Sequence, residues 1–260
     1  LLLLPDSKDT ALSVKKYCQL LHTSDVHLDN QIGAPGEESR GQLGFMAVID
    51  AALQRQVDLF LLAGDLFDHN RIKEPCLEFT VQQLSRLHCP VVMITGNHDC
   101  LADYSIYHQF DPAVAETDVH FIQNPDGGFL DFQAWGLRIW GQGIVDHSPD
   151  NKPLANVPLQ PFDGWHVGMA HGYLNTRGGD SYSSMIGEGE IAASSLDYLA
   201  LGHVHVFTDM NFGGTRAVYP GSPNLGQGTK DSTAAHVILD PDRGITVNRL
   251  SFDIPLINAA

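Results

Sequence analysis

Basic residues are scarce in this 260-residue chain: 15 Lys and Arg stand against 31 Asp and Glu, for a formal net charge of −16. Neither sign forms a long block, which excludes a basic nucleic-acid-binding tail and makes nonspecific DNA affinity weak by expectation. No apolar run approaches the about 18 residues that a membrane helix needs, and Leu1 to Leu4 are cut off at once by Pro5 and Asp6. The amino terminus also lacks the basic flank, apolar stretch and small-residue cleavage site of a secretory signal, so a cytoplasmic protein is expected. Residue 1 is Leu rather than Met, as in a processed chain or a piece of a longer one. Cysteine is sparse too. Cys18, Cys76, Cys89 and Cys100 form no CxxC pair, so a disulfide scaffold is excluded and the thiols read as reduced and buried.

What is there suffices for a full core, with 43% hydrophobic residues, and a single domain over 1–260 is expected, with its motifs within 20–239 and an extension over 1–17. Apolar runs at Cys18 to His22, Val57 to Ala63 and Pro90 to Thr95 read as buried strands. Between the first two, Ser39 and Gln42 have capping-box spacing, and Phe45, Ile49, Ala52 and Leu53 recur at helical intervals. Between the second and third, Pro75 suits a first helical turn, and Leu77, Val81, Leu84 and His88 make one stripe. This alternation implies a parallel sheet with right-handed crossovers.

The second half is punctuated by glycine. Gly128 to Gln133 and Leu137 to Trp140 suggest a hairpin around Ala134, Trp135 and Gly136. Further runs follow at Trp165 to Ala170, Tyr198 to Leu201, Ala217 to Tyr219 and Ala235 to Leu239, and Ser148 to Pro161 reads as a surface loop. So many strands fit two mixed sheets packed face to face with helices outside, an α/β fold in four αββα layers.

Five of these runs end in metal-capable polar residues: Asp25 and His27; Asp65 and Asp68 behind Gly64; Asn97, His98 and Asp99 behind Gly96; His171; and His203 and His205 behind Gly202. Ligands of α/β sheets bind beyond the carboxyl ends of strands, so these loops can converge on one crevice. Gathered carboxylates and imidazoles are costly unless paired, and divalent cations resolve that conflict. Asp, Asn and His donors without thiolate suit Mn, Fe or Zn. The donors outnumber what one four-coordinate ion needs. Two ions about 3.5 to 4 Å apart that share a carboxylate would clamp a phosphate and hold an attacking hydroxide.

The ordered set D-x-H, G-D-x-x-D, G-N-H-D, H and G-H-x-H resembles the calcineurin-like metallophosphoesterase family, from about Leu20 to Leu239. The wording Leu21 to Leu28, Leu62 to Asp68, Leu199 to His205 and Tyr219 to Pro223 is most similar to the SbcD-type DNA repair nucleases. The resemblance implies two divalent ions, Mn2+ foremost. Asp25, His27, Asp65 and His205 would hold one; Asp65 would bridge to a second, held also by Asn97, His171 and His203. It makes His98 the catalytic histidine that is not a ligand, with Asp99 placed to orient its imidazole. The implied reaction is in-line attack of a metal-bound hydroxide on a phosphodiester. Independently of the resemblance, phosphoryl transfer needs charge neutralisation, a deprotonated water and a proton for the leaving alkoxide; two cations serve the first two needs, and an imidazole the third.

Several residues have plainer readings. Asp68 is compatible with a turn cap, and Asp at this position resembles the bacterial members of the nuclease group, where archaeal and eukaryotic ones have His. Gly64, Gly96 and Gly202 are compatible with mere turn residues. His22, His69, His88, His108, His120, His147, His166 and His236 read as ordinary core or surface residues. Arg71 and Lys73 are candidates for phosphate contacts or simply solvated, and Tyr104, Tyr107 and Tyr182 for base stacking or simple packing. Thr176 to Ser184 is a candidate border of the cleft.

The expected function is a metal-dependent phosphodiesterase, foremost an SbcD-like DNA exonuclease, which in that group works as a homodimer with a coiled-coil ATPase. Charge weighs against it, since two divalent ions would offset only a quarter of −16 and DNA affinity draws on Lys and Arg. The alternative is hydrolysis of a small phosphodiester such as a cyclic nucleotide. A scaffold that has lost catalysis is disfavoured, because a retired site has no need of costly buried charges.

Overall fold

The computed structural model describes residues 14–33, 36–146, 148, 150–175, 184–225 and 230–254. Most of the expected extension over 1–17, His147, Tyr182 and nearly all of Thr176 to Ser184 lie outside them.

The chain opens with β1 (Cys18–Thr23), α1 (Arg40–Arg55), β2 (Leu59–Ala63), α2 (Glu74–Leu84) and β3 (Val91–Ile94), and the three strands pair in parallel. Their side chains alternate between two apolar environments, which is why the runs are apolar throughout. Phe60, Leu62, Val91 and Met93 face α1 and α2; Leu59, Leu61, Val92 and Ile94 face the second sheet. Ser39 starts α1 with a true capping box, its Oγ accepting from Gln42 N while its own N–H donates to Gln42 Oε1. The α2 stripe differs from the expected one. The helix ends at Leu84 and buries Cys76, Thr80, Gln83 and Leu84, while His88 lies beyond it, exposed. Thr80 Oγ1 donates to Cys76 O at 2.8 Å, so its hydroxyl is satisfied on the buried face.

Beyond α2 come β4 (Val119–Phe121), β5 (Gly128–Phe132), β6 (Leu137–Gln142), β7 (Trp165–His171), β8 (Tyr173–Asn175), β9 (Met185–Gly187), α3 (Glu188–Ala193), β10 (Tyr198–Gly202), β11 (Thr208–Phe212), β12 (Thr215–Tyr219), β13 (Ser232–Asp240) and β14 (Gly244–Phe252). One six-stranded sheet has the order β14-β13-β1-β2-β3-β4, the other β11-β12-β10-β7-β6-β5. Both are mixed, with antiparallel β13, β14, β5 and β11 attached to parallel centres. The sheets pack through Leu20, Leu61, Ile139, Val167, Met169 and Tyr198. α1 and α2 cover the outer face of the first sheet; among described helices only the six-residue α3 covers the second. The layers are αββα, and one helical layer is thin.

This topology sends the carboxyl ends of β1, β2 and β3 and those of β7 and β10 to one edge of the sandwich, where the polar clusters sit.

Candidate metal centre

Asp25 and His27 follow β1, Asp65 follows β2, Asn97 and His98 follow β3, His171 ends β7, and His203 and His205 follow β10. Of the five described non-glycine residues with left-handed backbone, four are in this set: Asp25 (φ 54°), His27 (49°), Asp65 (53°) and His203 (101°). Such conformations cost on the order of 1–3 kcal/mol each. Burying an apolar side chain of β2 is worth about 1.5–3 kcal/mol, so Leu59, Phe60, Leu61 and Leu62, all fully buried, already offset strain of this order.

The exits from β1 and β2 hold each other in place. Asp25 N donates to Gly64 O at 3.1 Å, His27 N to Asp65 O at 3.1 Å and Leu28 N to Leu66 O at 2.9 Å. From behind, Ser222 Oγ donates to Asp25 O at 2.7 Å, and Asn224 Nδ2 reaches Val26 O and His27 O at 3.1 and 3.3 Å. Ser222, inside the Tyr219 to Pro223 segment, and the adjoining Asn224 thus brace the Asp25–His27 loop, a role that the wording alone did not reveal. Gly64 has a positive φ and turns the chain. Gly96 and Gly202 do not; they are glycines because of close approach. A Cβ at Gly96 would lie 2.1 Å from Asp65 Oδ1, and one at Gly202 would lie 2.0 Å from Ala63 O.

Two donor sets result, and they share Asp65. In the first, His27 Nε2 is 3.2 Å from His205 Nε2, 3.9 Å from Asp25 Oδ1 and 4.0 Å from Asp65 Oδ2, and His205 Nε2 is 3.4 Å from Asp25 Oδ1. In the second, His171 Nε2 is 3.2 Å from Asp65 Oδ2 and 3.1 Å from Asn97 Oδ1, which is 2.9 Å from His203 Nδ1. The far atoms of four of these groups are held in place. His171 Nδ1 donates to Ala63 O at 2.8 Å, His27 Nδ1 is 3.1 Å from Asp68 Oδ1, Asp65 Oδ1 accepts from His98 N at 2.8 Å, and Asp25 Oδ2 accepts from His203 N at 2.9 Å. Anchoring of this kind fixes imidazole tautomers and aims the free nitrogen.

Burial opposes ionisation of Asp25 and Asp65, yet neighbouring imidazoles hold both below the usual carboxylate range, His205 chiefly at Asp25 and His171 at Asp65. Burial works against the His171 imidazolium as well, but Asp65 and Asp25 outweigh it and raise this group to about 9. His203, pressed by burial and by the His171 charge, falls to about 4. Carboxylates, imidazoles and an amide oxygen that converge, four of them with their other atoms already engaged, fit divalent cations. Asp25, His27 and His205, and likewise Asp25, Asp65 and His171, bring their ligand atoms within 4.8 Å of one another.

His98 sits at the rim, its side chain 39% exposed. Its Nδ1 donates to the carbonyl of Asp68 at 2.7 Å and lies 3.5 Å from the Asp68 carboxylate. The expectation that Asp99 orients this ring is therefore corrected. Asp99 is fully buried; its Oδ1 accepts from Gly96 N at 2.8 Å, and its Oδ2 accepts from Leu66 N, Phe67 N and Tyr107 Oη at 2.9, 3.3 and 2.8 Å. That carboxylate locks two loops together, and the strand exit turns it away from its neighbour's ring. Burial and the nearby Asp65 charge push its pKa up. Asp68 takes the place given to Asp99, touching both His27 and His98, and is more than a turn cap. Tyr107 is a buried partner of Asp99 rather than a stacking platform, whereas Tyr104 is 67% exposed.

An α/β sandwich with two carboxylate–imidazole sites at one strand edge is the architecture of a metallophosphoesterase. Residues 19–207 match the family model described as Calcineurin-like phosphoesterase, and the chain belongs to this family of hydrolases. It is 28% identical over 218 residues to the uncharacterized metallophosphoesterase YhaO of Bacillus subtilis, covering 78% of this chain and 52% of the relative. It is 25% identical over 249 residues to the DNA double-strand break repair protein Mre11 of Methanopyrus kandleri, covering 87% and 54%. With the D component of the SbcCD nuclease of Escherichia coli it shares 33% identity over 89 residues, 32% of this chain and 22% of that one. The chain spans about half the length of the first two relatives. A solved archaeal phosphodiesterase shares the fold at a TM-score of 0.51 and 12% identity, over 90% of this chain and 99% of that one. Among the described residues no helix is long and apolar enough to cross a membrane.

Proposed function

We propose that the chain is a dinuclear metal-dependent phosphodiesterase that cleaves DNA in the manner of SbcD-type nucleases. The observation that carries the chemistry is the pair of donor sets sharing Asp65 Oδ2, with His98 at their rim. Asp25, His27, Asp65 and His205 would hold one cation, and Asp65, Asn97, His171 and His203 the other, with Mn2+ foremost and Fe or Zn as alternatives. Bound there, the cations would neutralise phosphate charge and make water acidic enough to deprotonate near neutral pH.

The protein's own groups do the rest. Asp68 holds the Nδ1 side of the His98 ring through its carbonyl, which leaves Nε2 as the atom that carries a transferable proton. In the balanced reaction a water that has given one proton to solvent bonds through its oxygen to phosphorus, the bond from phosphorus to the leaving oxygen breaks, and that oxygen takes the Nε2 proton of His98, which regains one from solvent. Asp99 acts at one remove, fixing the loops that carry Asp65 and His98.

DNA as substrate is supported by the relatives named for double-strand break repair and as part of the SbcCD nuclease. A coiled-coil ATPase partner and a homodimer belong to the same reading, and a partner would supply the basic surface that this acidic chain lacks. The test is one preparation analysed for metal and assayed, with Mn2+ present, on linear single- and double-stranded DNA, cyclic nucleotides and bis(p-nitrophenyl) phosphate. Two ions per chain and cleaved DNA are expected. Turnover of the small diesters alone would replace the nuclease reading with the small-substrate one.

A further inference from the structure

Two cavities flank the donor cluster. One, of about 450 Å³, is lined by His98, Asn70, Arg71 and Tyr104 and belongs to the loops after β2 and β3. The other, of about 290 Å³, includes His205, Phe207, Lys230 and Arg249. Sheet order separates them: β3 stands on one side of β1 and β2, while β13 and β14, which carry Thr233 and Arg249 into the second cavity, stand on the other. A phosphodiester has two substituents to house where a monoester has one, and of these two cavities His98 lines only the larger. The larger is therefore on the leaving-group side, and its volume falls in the range of about 300–1,000 Å³ that small ligands fill.

Two side chains there are idle in the fold. Arg86, Arg138, Arg216 and Arg249 each hold an acidic partner. The guanidinium of Arg71 makes no ion pair or hydrogen bond with a described residue, although the chain has twice as many acids as bases. Asn30 Nδ2 donates to the Arg71 carbonyl at 3.0 Å, and Arg71 N donates to His69 Nδ1 at 3.1 Å, so the backbone is fixed while the cation is spare. Tyr104 is 67% exposed and has no ring or hydrogen-bond partner among the described residues. Asn70 keeps the wall rigid, with Nδ2 donating to Cys100 O at 3.1 Å and Oδ1 accepting from Ile106 N at 2.9 Å. A bare aromatic face beside a spare guanidinium recognises a base and a phosphate.

We propose that this cavity receives the nucleoside of the leaving alcohol, its base stacked on Tyr104 and the next phosphate along the strand paired with Arg71. The inference rests on the nuclease reading and adds the residues that select the substrate on one side of the scissile bond.

The experiment uses the Mn2+-loaded full chain and a small set of substrates: the dinucleotide TpT, its two analogues with an abasic sugar on one side or the other, and TpT extended by a terminal phosphate on either end. Wild-type protein should disfavour one abasic isomer about tenfold or more in kcat/KM, the scale of one lost stacking contact. Tyr104→Ala should abolish that preference and Tyr104→Trp restore it, with metal content and melting temperature unchanged. Arg71→Ala should remove the KM advantage of the extra phosphate. If wild-type protein cleaves TpT but Tyr104→Ala keeps the base preference, the cavity assignment is wrong and the nuclease reading stands. Turnover of bis(p-nitrophenyl) phosphate without any cleavage of TpT or longer DNA would overturn both.

Discussion

Gly96→Ala adds one carbon to the chain and should disable the centre. The new Cβ would lie 2.1 Å from Asp65 Oδ1, 2.6 Å from its Cγ and 2.6 Å from its backbone nitrogen. Ordinary contact begins near 3.4 Å, so the carboxylate and its loop must retreat by roughly 1.3 Å, and overpacking of this kind costs about 1–3 kcal/mol. The same retreat breaks the 2.8 Å bond from His98 N to Asp65 Oδ1 and displaces Oδ2 from both donor sets. A misplacement of about 1 Å at a reacting centre costs roughly a hundredfold in rate. Gly189 is the control: nothing lies within 4 Å of its would-be Cβ, and Ala there, inside α3, should stabilise by about 0.5–1 kcal/mol. The assays are metal content and turnover of bis(p-nitrophenyl) phosphate. A Gly96→Ala protein with two ions and near-native turnover would refute the view that close backbone approach positions Asp65.

Asp65→Asn should abolish activity and loosen both ions, since one carboxylate faces both donor sets; a normal metal content by elemental analysis would break the shared-ligand assignment. His98→Ala should keep both metals and lose about a hundredfold or more in turnover; departure of metal would make His98 a ligand. Asp99→Asn should lower stability by about 1–3 kcal/mol in urea unfolding, because an amide nitrogen would face donors that the carboxylate now accepts; an intact melting curve with reduced turnover would reinstate Asp99 as the partner of His98. Buried His22 is lowered to about 3, above all by burial. Folding therefore keeps it neutral while the unfolded chain takes up a proton below about 6.5, so its contribution is present above that pH and fades as pH falls toward 3. Between pH 7.5 and 5 wild-type protein should lose about 2 kcal/mol more than His22→Leu. Equal losses by denaturant titration would place a charged or solvated His22 in the native state.

The strands nearest the centre were legible because their burial on both faces leaves unbroken runs such as Leu59 to Ala63. Among the edge strands β5 was legible, but β11 and β14 were not. In β11 (Thr208–Phe212) exposed and half-buried residues alternate, and in β14 (Gly244–Phe252) exposed and half-buried residues mix with Leu250 alone buried, so neither shows the apolar run that marks a buried strand. In the centre, ligand-type residues stood out by position after strands, but the groups that hold them did not. Ser222 and Asn224 lie about 200 residues from the backbone atoms they brace. The role of Asp99 is hidden from the sequence for a related reason. Adjacency in sequence suggested adjacency of side chains, whereas the left-handed turn at Asp65 brings the amides of Leu66 and Phe67 toward the Asp99 carboxylate.

That turn is part of a backbone frame that holds the donors of the centre in place. Asp25, His27, Asp65 and His203 each hold a left-handed backbone, and a loop free to relax would abandon it. They are kept there by amide ladders between neighbouring exits, by Asn224 and Ser222 behind one loop and by Asp99 behind another, all mounted on strands whose side chains are buried on both faces. Relaxation of one donor would expose the amides that hold the next, so the strain is shared and released only collectively. A mobile site would order on binding and lose affinity to that ordering; a site built this way should bind its cations with little change in backbone amide exchange outside the loops themselves. Widespread new protection across β1, β2 and β10 on adding Mn2+ would mean that the cations, and not the sheets, assemble the centre.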